Sequence, residues 1–484
     1  MPPSETASDR PGFAPAQRQR WSLYAGIAEA AADPAARREL WGWSALAVLA
    51  LAIAGVFALL LAFSRVPGAA DVFPWPVRFF EKGLVVHVAL SFIVWILSVM
   101  GALMTLAARR LAAGRPRWQA LGPLGLCGAY AGTALLLIPA WMDRGEPSLN
   151  NYVPAIIDPL YYLGLALLAV GIGLAAIRVL ANLAGRKGPL EPVSLAAATA
   201  ALIFLLALAC FALAFLNLAA GPRGPIDAAF NEDLFWGGGH ALQFVNLGLM
   251  LGAWYVLGGM ALGQPLVHPR LMSAALGLLA VAALPAPFFY MGIGFEPLSG
   301  EQKLAFTNLQ YLLAPPVLLV GGGAAMTLIG RSRAAGGLPW RDPALPCLVL
   351  SILVFALGGV LGLFVDGADT RTPAHYHGVI GGINLAFMGL FFSLFLPLLG
   401  RALAPGKAVA ASIWLYAVGQ AVHAIGLFWA GGYGAPRKTV AAADGAQALG
   451  PTIGLYMLGV GAVIAVVGGV TFIVLVARAL LKSR

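Results

Sequence analysis

Residues 372–384 read TPAHYHGVIGGIN and put two histidines, His375 and His377, at the mouth of an apolar run long enough to cross a bilayer. On a helix two positions are about 200° apart, so these imidazoles point to opposite sides of one span. A helix equipped in this way can serve two planar cofactors. Axial histidine ligation holds haem iron, and apolar bundles hold cofactors between facing helices. Zinc wants ligands that converge on one point, which opposed imidazoles do not.

Outward from this stretch the remaining histidines fall into register. Of six, His268 lies in a connecting segment and His87, His240, His375, His377 and His423 lie in apolar runs. Counted at 1.5 Å per residue from the run ends, these five sit within about 15 Å of one membrane face. Imidazoles are rare in hydrocarbon and face a bundle interior, a partner or a cofactor when they occur there. A shared depth across four runs points to a common ligand.

Twelve such runs are present, beginning near Trp43, Gly83, Trp118, Pro159, Val193, Trp236, Arg270, Lys303, Ala344, His375, Lys407 and Gly450. The expected fold is an all-α membrane protein, a twelve-transmembrane-helix bundle. It divides into a polar cytoplasmic tail, residues 1–42, and a membrane domain, residues 43–484. The composition agrees. The chain has 484 residues, 60% apolar and 10% charged, with mean hydropathy +0.85. A soluble domain carries roughly 25% charged residues, so a water-soluble enzyme is excluded. The net charge of +10 is topological rather than a nucleic-acid signature. With the N-terminus inside, inner segments hold 21 Lys and Arg against 7 Asp and Glu, and outer segments hold 9 against 13. Both termini are then cytoplasmic, in a bacterial-type inner membrane. Every carboxylate falls in a tail, loop or span end, which disfavours ion-coupled pumping. Cys127, Cys210 and Cys347 lie far apart in apolar runs, and no Cys-x-x-Cys-His motif for covalent haem is present.

This pattern resembles subunit I of the haem-copper oxidase superfamily, which includes the nitric oxide reductases. The matching stretches are Glu81–Leu90 (EKGLVVHVAL), Phe235–Val245 (FWGGGHALQFV), Thr372–Asn384 and Gly434–Lys438 (GAPRK), within residues 40–480. The resemblance implies two haems. His87 and His377 become the axial ligands of a low-spin haem, and His375 the proximal ligand of a second, high-spin haem. Arg437 and Lys438 become the basic pair that holds haem propionates, a role suited to a guanidinium. His240 and Tyr290 are the catalytic candidates.

The departure lies in the seventh run. The family's copper takes one histidine from the sixth span, matching His240, and two neighbours from the seventh. Here Phe288 and Phe289 overlie those two positions. Phenylalanine cannot ligate a metal, and one imidazole rarely holds copper alone, so no copper is expected. Trp236, Trp254, Trp429 and Tyr433 read as interface belt residues.

The implied function is a di-haem membrane redox subunit. It passes electrons from an outer-side donor, a cytochrome or cupredoxin subunit, to a small haem-bound acceptor such as O2 or NO, without pumping. The alternative is a non-catalytic haem subunit for gas binding or electron transfer, in which His240 would become a distal ligand. Membrane lipid is the other expected partner, and nucleic acid is not.

Overall fold

The computed structural model describes residues 21–63, 79–221, 224–334, 337–365, 369–436 and 449–482. Among these residues, twelve helices are long and apolar enough to cross a membrane. They are Pro34–Leu60, Phe80–Ala112, Leu121–Trp141, Pro159–Ala184, Pro192–Ala220, Ala228–Leu262, Pro269–Tyr290, Gly300–Arg333, Ala344–Gly362, Arg371–Leu398, Lys407–Gly432 and Leu449–Leu481. We refer to them as the first to twelfth spans. Helix starts follow the local chemistry. The Asp158 carboxylate accepts from the Leu160 amide ahead of Pro159, and Asp227 accepts from the Phe230 amide.

The sixth span is buried along its whole apolar window and the tenth along 83% of it, against 22% for the eighth. The sixth and tenth are therefore the central pair, and they pack against each other. Small residues set the closest approaches. A side chain at Gly358 in the ninth span would collide with the backbone of Gly378 and Val379 in the tenth, and one at Gly461 in the twelfth would collide with the backbone of His423.

Two features differ from the sequence reading. Ser22–Ala32 is a helix with Ile27 and Ala31 buried, and the first span begins at Pro34, so residues 22–42 join the helical body rather than trail from it. In addition, a carboxylate is buried in a span. Glu39 is held by Arg178 of the fourth span through two hydrogen bonds of 3.0 and 2.6 Å, with Thr105 a third partner at 3.3 Å. Charge at this depth hides in a pair, because leaving either partner alone would cost several kcal/mol.

Candidate haem-binding site

His87 sits in the first helical segment of the second span, and its Nδ1 lies 2.9 Å from the carbonyl oxygen of Ala54 in the first span. Immediately below, Ala89–Val94 winds as a π-helix, a local widening that recurs at functional sites. The Ser91 hydroxyl donates to the His87 carbonyl at 2.7 Å, taking up an oxygen at this widening. Two turns below His377, Asn384 accepts from the Trp95 indole at 2.9 Å and donates to the Tyr416 hydroxyl at 2.7 Å. That chain fixes the second, tenth and eleventh spans to one another beneath the histidines.

His377 faces this side. Its ring centroid lies 4.6 Å from that of His423, edge to face at 75°. The Nδ1 of His423 lies 2.9 Å from the carbonyl of Leu458 in the twelfth span. His375 faces the other way, with its Nδ1 2.8 Å from the carbonyl of Gly358 in the ninth span. The close approach of Gly358 to Gly378 brings that carbonyl into reach, and Gly362 leaves room for the ring, since a side chain there would strike its Nδ1.

A carbonyl only accepts. In the neutral rings of His87, His375 and His423 the proton therefore sits on Nδ1 and the lone pair on Nε2, the form that ligates a metal. The carbonyl grip, and for His375 the space kept by glycine, leave an Nε2 lone pair on His87 and on His375 that would suit a haem iron.

His240 is treated differently. Its Nδ1 lies 2.7 Å from the Trp236 carbonyl one turn back, and its Nε2 lies 2.9 Å from the hydroxyl of Tyr152. Tyr152 comes from the connection between the third and fourth spans, where β1 (Glu146–Ser148) and β2 (Ala155–Ile157) form an antiparallel pair. Its backbone is left-handed at φ 63°, a conformation costly for an aromatic residue, and it stays there because its neighbour is clamped. The Asn151 backbone amide and side-chain amide donate to the two carboxylate oxygens of Glu232, at 2.9 and 2.6 Å. Burial and the nearby Glu232 carboxylate push the Tyr152 phenol above its ordinary pKa, so it stays protonated and donates to Nε2.

Aromatic rings close the space around His240. Tyr152 lies at 4.4 Å, Trp236 at 4.8 Å and Phe306 at 5.9 Å between centroids. The glycines of the FWGGGH stretch make room for rings. Side chains at Gly237, Gly238 and Gly239 would strike Phe306 with the Tyr290 hydroxyl, Phe211, and Tyr152, respectively. Tyr290 is buried, and its hydroxyl accepts from the Gly237 amide at 3.2 Å.

The seventh span ends in a 3-10 turn, Ala286–Tyr290, imposed by Pro285 and Pro287. Phe288 is consequently 51% exposed, while Phe289 packs on Phe306 at 5.0 Å and Phe295 at 5.3 Å. Among the described residues, no group of three His, Cys, Asp or Glu side chains is placed to hold a metal ion. His268 caps the seventh span by accepting from the Arg270 amide.

Arg437 and Lys438 lie outside the described residues. The residues just before them dock over the tenth span: Pro436 pairs with Asp369 as an antiparallel bridge, and the Thr370 amide donates to the Ala435 carbonyl at 2.9 Å. The Arg371 guanidinium bonded to Asp369 holds that carboxyl below its ordinary pKa. Of the presumed belt aromatics, Trp429 and Tyr433 are exposed, but Trp254 is fully buried with its indole donating to Ser351 at 2.7 Å, and Trp236 packs on His240. Hydropathy alone does not separate a ring facing lipid from one facing the core. Tyr152, Asn151 and Glu232 escaped the sequence reading because no motif links the connection between the third and fourth spans to His240; the Asn-Asn-Tyr run only marks a turn.

Twelve spans enclose imidazoles anchored on main-chain carbonyls, the body of a multi-pass membrane protein. Known proteins supply its redox class. The family described as cytochrome c and quinol oxidase polypeptide I matches residues 41–470, and the chain belongs to it. An uncharacterised protein of Aquifex aeolicus is 32% identical over 352 residues, 72% of this chain and 83% of that one. Cytochrome c oxidase subunit 1 of Thermus thermophilus is 26% identical over 235 residues, 44% of this chain and 41% of its own. Among solved structures, a heme-copper terminal oxidase dimer determined by cryo-electron microscopy shares the fold, with TM-score 0.75, 16% identity, and coverage of 93% of this chain and 85% of that one.

Proposed function

We propose that this chain is a di-haem redox subunit in which His87 and His377 hold a low-spin haem, His375 holds a second haem, and no copper is bound. The observation that carries the reading is the contrast in ring hydrogen bonding. His87 and His375 are gripped at Nδ1 alone, whereas His240 spends both nitrogens on Trp236 and Tyr152. When bound, the two haems supply one-electron transfer and a site for a small ligand at iron. The chain's own residues orient the axial imidazoles, keep His375 and His377 on opposite faces of one span, and exclude a metal from His240. Electrons come from an outer-side cytochrome or cupredoxin, with the N-terminus in the cytoplasm, and pass to a small acceptor such as O2 or NO without pumping. Glu39 supports the absence of pumping, because the carboxylate buried in the first span is neutralised by Arg178. Metal and optical analysis of the purified protein tests this: about two irons and no stoichiometric copper are expected, and one tightly bound copper per chain refutes it.

The Tyr152 cap favours a second reading, in which catalysis has been lost and the chain only binds a gas or relays electrons. It also argues against His240 as a distal ligand, since Nε2 already accepts from the phenol. Carbon monoxide separates the two: ready binding to the reduced protein keeps a catalytic pocket, and failure to bind supports the relay.

A further inference from the structure

His423 has no part in the reading above, yet its ring lies 4.6 Å from that of His377 between centroids. Of the five histidines within spans, four place Nδ1 on a main-chain carbonyl: His87 on Ala54, His240 on Trp236, His375 on Gly358 and His423 on Leu458. His377 is the exception. Its ring makes no hydrogen bond to any described residue, and its ring contacts are Tyr376 at 5.1 Å and His423 at 4.6 Å.

A histidine that binds a metal through one nitrogen carries an N–H on the other, and that N–H nearly always finds an acceptor, which fixes the ring and raises its basicity. Left unpaired in hydrocarbon, it would carry an uncompensated desolvation cost. Tyr376 points outward and is 40% exposed. The nitrogen-bearing ring beside His377 is His423, and its bond to Leu458 puts the proton on Nδ1 and the lone pair on Nε2. Helix packing holds it there. Gly461 brings the twelfth span against the His423 backbone, one turn after Leu458, and Gly426 receives the Leu458 backbone from the other side.

We propose that His423 is the positioning residue of the low-spin haem, accepting through Nε2 the N–H of iron-bound His377 in place of the carbonyl that anchors the other imidazoles. This rests on His87 and His377 being the axial pair. The bond moves electron density toward the iron and stabilises the oxidised state, so its loss raises the midpoint potential of that haem and leaves the other unchanged.

The test compares wild type, His423→Leu and His423→Gln, each purified whole with its haems, by haem content, electron paramagnetic resonance of the low-spin signal and optical redox titration. His423→Leu should keep both haems, alter the low-spin resonance, and favour reduction of that haem about tenfold, equivalent to about 59 mV for one electron. His423→Gln, which restores an acceptor, should recover most of the shift. Should the leucine variant not accumulate, His423→Asn, polar but too short to reach, supplies the same comparison. An unchanged potential and resonance in the Leu or Asn variant overturns the proposal. Loss of the low-spin haem in these variants with its retention in His377→Leu overturns it too, by making His423 the ligand. A wild-type protein without a bis-histidine low-spin haem is a separate outcome, which removes the axial assignment itself.

Discussion

His377 and His240 stand on the two central spans, which pack together, and the protein treats their rings in opposite ways. Around His377 lie other imidazoles, a π-helix below His87 and a polar chain through Trp95, Asn384 and Tyr416. Around His240 lie aromatic rings, and both of its nitrogens are occupied. Under the proposed reading, an imidazole in the bundle serves a metal only where a nitrogen is left for one. Residue type and depth are alike on the two sides; the hydrogen-bond pattern separates them.

The contrast breaks most sharply under alanine. His377→Ala should abolish the low-spin haem spectrum while sparing the other haem at least in part, whereas His240→Ala should leave both spectra in place. Visible spectra of the two purified variants decide this, and equal losses would erase the distinction. Next in size, Gly362→Leu drives a side chain into the His375 ring, so the haem that binds carbon monoxide in the reduced protein should fall several-fold in occupancy with the low-spin band retained. Tyr152→Phe should cost about 1–2 kcal/mol, through the lost bond and the unpaired nitrogen it leaves, read as a lower melting temperature in detergent. It should gain no tight copper, because one imidazole is still no copper site. The smallest effect belongs to Asp369. Its folded pKa is depressed, so its bond to Arg371 contributes fully above the ordinary carboxylate value of about 3.9 and fades as the pH falls through the folded value. Asp369→Asn should therefore lower stability slightly at pH 7 and by less as the pH falls into the acid range, as thermal melts across that range would show.

The twelve spans were legible because apolar length is written along the chain. The first span's start was not, since Glu39 and its neighbouring charges read as solvent-facing until Arg178 and Arg109 are seen to pair with Glu39 and Asp33. The sequence reading set Phe288 and Phe289 over the family's copper-histidine positions, but their surroundings were not legible: with Pro285 and Pro287 the helix gives way to a 3-10 turn, and Phe288 is exposed. Tyr152 was hidden altogether. It lies 88 positions from His240, and only a folded strand pair brings the phenol to the ring.

That strand pair has a mechanical property of its own. Asn151 grips Glu232, and Glu232 rides on the same helix as His240, eight residues earlier. The stopper is thus moored to the neck of its own bottle: when the sixth span tilts or slides, phenol and imidazole travel together, and ordinary breathing of the bundle has no direction in which to part them.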